Sequence, residues 1–181
     1  MRRTLLFILG GLLLGGIIHI AVVFLIPLFA SQDAWAEMRR FGRDGLFHIL
    51  PQPQAGAEPL ASLDPHMLYA VCRFSLADGP VRIRATLPDD FWSVAIFDRR
   101  GRNVYSLNDR SAEGTELDLA VITPVQMAQL RQDPPESLES AIVVELPISV
   151  GFALFRIFVA DASLLPGATA MLKSADCAGS L

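Results

Sequence analysis

A mainly β protein is what the sequence predicts: an antiparallel β-sandwich or barrel-like domain with one or two short helices, behind a single N-terminal transmembrane helix. Three observations lead there. Residues 4–32 hold no Asp, Glu, Lys or Arg and follow Arg2-Arg3. As a helix rising about 1.5 Å per residue, this run reaches about 40 Å, more than a hydrocarbon core of roughly 30 Å. From residue 67 onward, short segments alternate apolar and polar residues with a period of two and are separated by turn residues, the pattern of half-buried strands. Helical patterns are too few to supply a crossover after every strand, as a parallel sheet requires.

The chain divides into a cytoplasmic tail (1–3), the membrane span (4–30), a juxtamembrane helix and Pro-rich linker (31–63) and an extracytoplasmic β domain (64–181). A secretory signal has an apolar stretch of about 7 to 15 residues, so a run this long reads as a retained signal-anchor. The competing reading takes Ala34-Trp35-Ala36 as a cleavage site. Arg2, Arg3 and the free amine place the N-terminus in the cytoplasm, whereas Arg39, Arg40 and Arg43 pull the other way. Within the span, Gly11, Gly15 and His19 recur every fourth residue and share a face. Small residues at that spacing admit a second helix, and an intramembrane His prefers a protein partner to lipid, so a homo- or hetero-oligomer through the span is expected. Ser31 is expected to cap a short helix running to about residue 43, with Trp35 and Met38 on one face. Trp35 there either anchors at the headgroups or packs on the domain.

In residues 45–64, Pro51, Pro53, Gly56 and Pro59 deny the chain a long regular element. Residues 67–76 follow as a strand with Leu68, Ala70, Cys72, Phe74 and Leu76 on one side and Arg73 and Ser75 on the other. Asp78-Gly79 reads as a two-residue hairpin turn, so residues 81–86 are expected to pair with that strand. Residues 91–98 are apolar on both faces and read as an inner strand, joined by the charged turn at 99–102 to a strand at 103–107. A strand at 117–122 leads to a helix capped by Thr123, opened by Pro124 and stopped by Pro134-Pro135. Strands at 141–146 and 151–160 close the sheet pattern, and an Ala-rich tail from 163 forms a short helix to about residue 173.

Cys72 faces inward on a strand and Cys177 lies near the C-terminus, in a domain placed outside the cytoplasm. They read as a disulfide pinning the tail to the sheet; the alternative is two unrelated thiols. The net charge is −4, and the basic residues, all Arg except Lys173, are scattered among acids. No basic stripe with interleaved aromatics is present, so nucleic acid is not an expected partner. Arg82 and Arg84, with Arg73 on the strand expected beside them, form a candidate patch for anionic glycans or lipid headgroups. No Gly-x-Ser-x-Gly, His-Glu-x-x-His, phosphate loop or zinc-spaced Cys pair occurs. Asp64, His48 and His66 are the residues a metal or acid–base group would draw on, and solvation is their ordinary role. No cofactor is expected.

Residues 76–109 carry a strand ending in Gly79-Pro80, an aromatic strand (Phe91-Trp92-Ser93-Val94-Ala95-Ile96-Phe97-Asp98) and a turn with Asp98, Gly101 and Asn103 in an Asp-x-x-Gly-x-Asn arrangement. In these motifs the chain resembles the bacterial family known as domain of unknown function 1254 (DUF1254). Its short members look like this chain throughout. Its long members carry Asn-x-Asp-Thr-Leu-Tyr before Gly-Pro; here Leu68-Tyr69 remains and Asp64 is displaced. The resemblance implies a β fold and an envelope location, with the span in the bacterial inner membrane and the domain in the periplasm, and it implies no activity. A structural or interaction component of the envelope is therefore the expected role, with an anion-binding module as the alternative.

Overall fold

The computed structural model describes residues 2–29, 34–54, 56, 59–60, 63–112 and 114–179. The chain forms two compact units, residues 1–32 and 33–181. In the first unit, helix α1 (Arg2–Phe29) is continuous over 28 residues. Within Arg2–Leu25 the most apolar 18-residue stretch has a mean hydropathy of 2.5 and none of it is buried, so the helix is long and apolar enough to cross a membrane. Ser31, the expected cap, lies outside the described residues.

Among the described residues of the second unit, nine strands form two sheets, as a sandwich predicts. They are β1 (His48–Ile49), β2 (Met67–Ser75), β3 (Val81–Thr86), β4 (Trp92–Asp98), β5 (Asn103–Asn108), β6 (Glu116–Ile122), β7 (Ile142–Glu145), β8 (Val150–Phe158) and β9 (Asp176–Ala178). One sheet has the order β1-β2-β8-β4-β5 and the other β7-β6-β3-β9. Neither closes on itself, so the domain is a sandwich and not a barrel. Helix α2 (Ala34–Glu37) runs into a 3-10 turn (Met38–Phe41), α3 (Pro124–Leu130) lies between β6 and β7, and α4 (Leu165–Ser174) precedes β9.

The core between the sheets gathers the inward residues of each strand: Leu68, Ala70, Cys72 and Phe74 from β2, Val94 and Ile96 from β4, and Ala153, Phe155 and Ile157 from β8. Ile83, Leu119 and Val121 meet them from the second sheet. Burying a side chain such as Phe155, which is fully enclosed, contributes about 2 to 3 kcal/mol. Edge-to-face contacts of Phe155 with Trp92 and Phe47 fix its place. Gly151 is required where β8 lies beside the end of β4, because a Cβ there would meet the Phe97 carbonyl oxygen at 2.5 Å.

The sequence pattern needs correcting in one pairing. Strands β2 and β3 do not form a hairpin: β2 pairs antiparallel with β1 and with β8, from Met67↔Phe158 to Ser75↔Val150, while β3 lies between β6 and β9 in the other sheet. Asp78-Gly79 turns the chain from one sheet to the other, with Gly79 at φ 146°. The physical reason stands at the next position. A two-residue hairpin is closed by an N–H from the residue after the turn, and Pro80 has none. The charged turn at 99–102 does make the expected β4–β5 hairpin, with Gly101 at φ 79°. Thr123 accepts from the Gln126 N–H while the Gln126 side chain accepts from the Thr123 N–H, so α3 begins with a capping box. The β6–α3–β7 unit makes β6 and β7 the parallel pair of an otherwise antiparallel sandwich.

The segment expected to be a linker or a draped loop packs on the domain. Met38, Leu50, Met67, Tyr69, Val71 and Phe152 form a second buried cluster on the outer face of the first sheet, joined by Trp35, Phe41, Leu60, Leu63 and Phe97. Described residues on either side of β1, from Ala34 to Phe41 and at Leu50, Leu60 and Leu63, thus roof that face as a third layer.

Candidate functional site

One buried arginine touches the roof at two points. Arg73 projects from β2 onto the outer face, where its side chain is only 3% exposed. Its guanidinium carbon sits 3.9 Å from the centre of the Trp35 ring. Its Nη2 lies 2.8 Å and 3.0 Å from the two Asp44 carboxylate oxygens, and its own carbonyl accepts from the Gly45 N–H at 2.8 Å. Arg73 thereby grips the roof at Trp35 and again at Asp44-Gly45. Trp35 packs on the domain, the second of the two sequence alternatives, and Met38 beside it is buried. Arg73 Nε, Arg73 Nη1 and Trp35 Nε1 are buried without a hydrogen-bond partner among the described residues. Each orphaned N–H costs about 1 to 3 kcal/mol, whereas an arginine over an indole contributes about 1 to 2. Arg73→Met is therefore expected to change the unfolding free energy by no more than about 1 kcal/mol, because the half-exposed Asp44 returns to water and the orphaned donors disappear. Arg73→Ala also loses the stem packed on Trp35 and should cost about 2 kcal/mol more. Chemical denaturation of both variants checks this, and equal losses would show that the guanidinium donors are satisfied in solution.

Arg73 does not join Arg82 and Arg84. Those two lie on β3, on the outer face of the second sheet. Arg82 Nε donates to Asp118 Oδ1 at 2.7 Å, and Nη2 donates to Asp118 Oδ2 at 2.5 Å and to the Ser137 carbonyl at 2.6 Å. The hydrogen bond from Arg82 draws the Asp118 carboxyl below its ordinary pKa, burial opposes this, and the charges of Arg82 and Arg84 add to it. Arg84 is half exposed and 3.6 Å from the half-exposed Asp176, a contact worth little. A shallow cleft of about 220 Å³ lies beside them, with Ala85 and Leu117 among its lining and Arg84, Thr86, Glu116, Asp118 and Ser174 as its polar groups. Arg73, Arg82 and Arg84 thus each face a carboxylate, and the mixed charge of the cleft suits no simple anion.

The Asp98 turn is likewise built to hold backbone. Burial would raise the Asp98 pKa, but bonds from the Arg102 N–H and side chain and from the Arg100 N–H outweigh it, and the carboxyl lies below its usual range. Asp98, Gly101 and Asn103 therefore serve as a turn motif. Asp64 accepts from the His66 N–H at 2.8 Å and lies 3.3 Å from its ring Nδ1, both side chains being mostly exposed. His48 Nε2 donates to the Arg43 carbonyl at 2.9 Å. The His48 ring, on β1, is thus engaged by the loop that precedes the strand. Among the described residues no group of three His, Cys, Asp or Glu converges.

Cys72 and Cys177 form a disulfide, closing a sequence separation of 105 residues. It fastens β9, a strand that periodicity does not reveal, to the sandwich interior. Gly11, Gly15 and His19 share one exposed face of α1, and a Cβ on either glycine would meet open space.

A mostly antiparallel two-sheet sandwich, its tail strand locked by a disulfide and its outer face roofed by the segment after an apolar helix, defines a class of small β proteins with one hydrophobic N-terminal helix. The chain belongs to the family described as Protein of unknown function (DUF1254), which matches residues 46–178, through the last residue of β9. The VPA0106 protein from Vibrio parahaemolyticus has a similar fold, with a TM-score of 0.56 at 11% identity over 81% of this chain and 35% of that one. An uncharacterised protein from Burkholderia cenocepacia matches with a TM-score of 0.44 at 22% identity over 63% of this chain and 32% of that one. The chain thus spans about a third of the length of these two structures. Among curated proteins none matches.

Proposed function

We propose that the protein is a single-pass inner-membrane protein whose β domain stands in the periplasm as a structural or interaction component of the cell envelope. The observation that carries this reading is the pairing of a fully unburied apolar helix with a buried disulfide in the domain that follows. An unburied helix of that hydropathy requires lipid or a partner, and a structural disulfide forms on the oxidising side of a bilayer. Alkaline phosphatase fused after Leu181 is expected to be active in intact cells, and an inactive fusion would reverse the orientation. Extraction at alkaline pH should leave the full-length chain in the membrane pellet; release of a shortened chain would identify a cleaved signal. The Gly11, Gly15 and His19 face is the helix's partner-binding stripe in this reading. Gly15→Ile is expected to reduce self-association or partner recovery in mild detergent several-fold, and unchanged recovery would remove the stripe from the account.

A further inference from the structure

The segment that leads into one arginine run touches the turn that carries another, far away in the sequence. The Trp35 N–H donates to the Arg99 carbonyl at 3.1 Å, and Ala34 lies against Gly101, so α2 starts on the β4–β5 turn. Arg39, Arg40 and Arg43 follow directly after α2, and Arg99, Arg100 and Arg102 occupy the turn; all six are exposed. With Glu37, Asp44 and Asp98 the region carries a net charge of +3, and Asp98 is engaged by the turn and Asp44 by Arg73. The rest of the chain from Gly45 onward holds seven basic and fifteen acidic residues, a net of −8. Excess positive charge is therefore confined to the stretch where the chain enters the domain after the apolar helix and to the turn that this stretch contacts. Only residues 30–33 separate Phe29 from Ala34 along the chain.

We propose that this arginine rim (Arg39, Arg40, Arg43, Arg99, Arg100 and Arg102) binds the anionic phospholipid headgroups of the bilayer that α1 spans. The inference rests on the membrane reading above and adds what the domain does at the surface. Attraction of the rim and repulsion of the acidic remainder act in the same sense, turning the rim toward an anionic surface and leaving β7, α3 and the acidic second sheet for other contacts. The lipid interaction is screened within about 10 Å at ordinary ionic strength, so it belongs to residues at the surface itself.

The test uses the full-length protein in nanodiscs of phosphatidylcholine alone or of phosphatidylcholine and phosphatidylglycerol in equal parts, read by backbone hydrogen exchange. The hydrogen bonds of Trp35, Arg100, Gly101 and Arg102 N–H groups make this knot its own reporter. Exchange in the peptides covering 35–44 and 98–103 is expected to slow several-fold in the anionic discs. The difference should vanish in about 0.5 M salt and in the Arg39→Gln/Arg43→Gln/Arg100→Gln variant, whose side chains are exposed and outside the core. Peptides covering α3 and β7 should exchange alike in both discs and show that the variant is folded. Equal exchange of the rim in both compositions overturns the inference while leaving the span intact. Recovery of intact chain outside the discs overturns the span and the rim together.

Discussion

Replacing Cys72 and Cys177 together by alanine is expected to lower the unfolding free energy by about 4 to 5 kcal/mol, because the bridge closes a loop of roughly a hundred residues in the unfolded chain. The loss has a local signature as well. Strand β9 makes three register pairs, Arg82↔Ala178, Ile83↔Cys177 and Arg84↔Asp176, too few for a strand to persist at a sheet edge unaided. Helix α4 before it buries only Ala168 and Leu172. Without the bridge, α4 and β9 should open as a unit, with amide exchange there rising far more than in β2 and β8. Urea denaturation of the oxidised wild type and the double variant measures the first effect and hydrogen exchange the second. A loss below about 1 kcal/mol with β9 still protected would show that packing alone holds the tail.

The same elements show which parts of the architecture are legible in the sequence. The inner strands β4 and β8 stand out because a strand covered on both faces has no polar side, and α3 because Thr123, Pro124 and Gln126 spell a helix start. Strand β9 is too short for any period to register; Cys177, with one inward cysteine to join, is its only signal. Asp78-Gly79 alone points to a β2–β3 hairpin, and Pro80 is the neighbour that forbids it. The roof is hidden by composition, since Pro and Gly at 51–59 describe a loop whether it is solvated or packed. A signal is nevertheless present on the supposed outer face of β2. Met67, Tyr69 and Val71 are apolar there, which a solvated face does not need. The arginine rim is invisible in the chain, because nothing tells that Ala34-Trp35 and the turn at 99–101 are neighbours until the Trp35–Arg99 bond joins them.

Arg82→Ala is expected to cost about 3 kcal/mol and Asp118→Ala somewhat more, although both positions lie on an outer sheet face. Arg82 is tucked between Ala120 and Ala178, its register partners on β6 and β9, whose small side chains leave its guanidinium room to reach Asp118 and the Ser137 carbonyl. With side-chain exposures of 10% and 24%, the pair is largely desolvated, so removing one partner strands the other, and the buried arginine is the more costly to strand. Arg82→Met/Asp118→Leu removes both charges and should lose less than the two single variants together, a coupling that a double-mutant cycle measures directly. The pair also sets a pH dependence. The folded pKa of Asp118 lies below its unfolded value, so its contribution is full above the ordinary carboxylate value of about 3.9 and declines as pH falls from there through the depressed folded value. Asp98 acts in the same sense. Wild type should therefore lose stability over that acid range more steeply than Arg82→Met/Asp118→Leu, and equal slopes would remove Asp118 as a source. The experiment also decides what Arg82 is for. A structural clasp for the segment at 136–138 predicts a destabilised domain with unchanged anion binding, whereas a ligand site predicts the reverse, full stability and lost binding. Three bonds to protein atoms and near-complete burial place Arg82 with the first outcome.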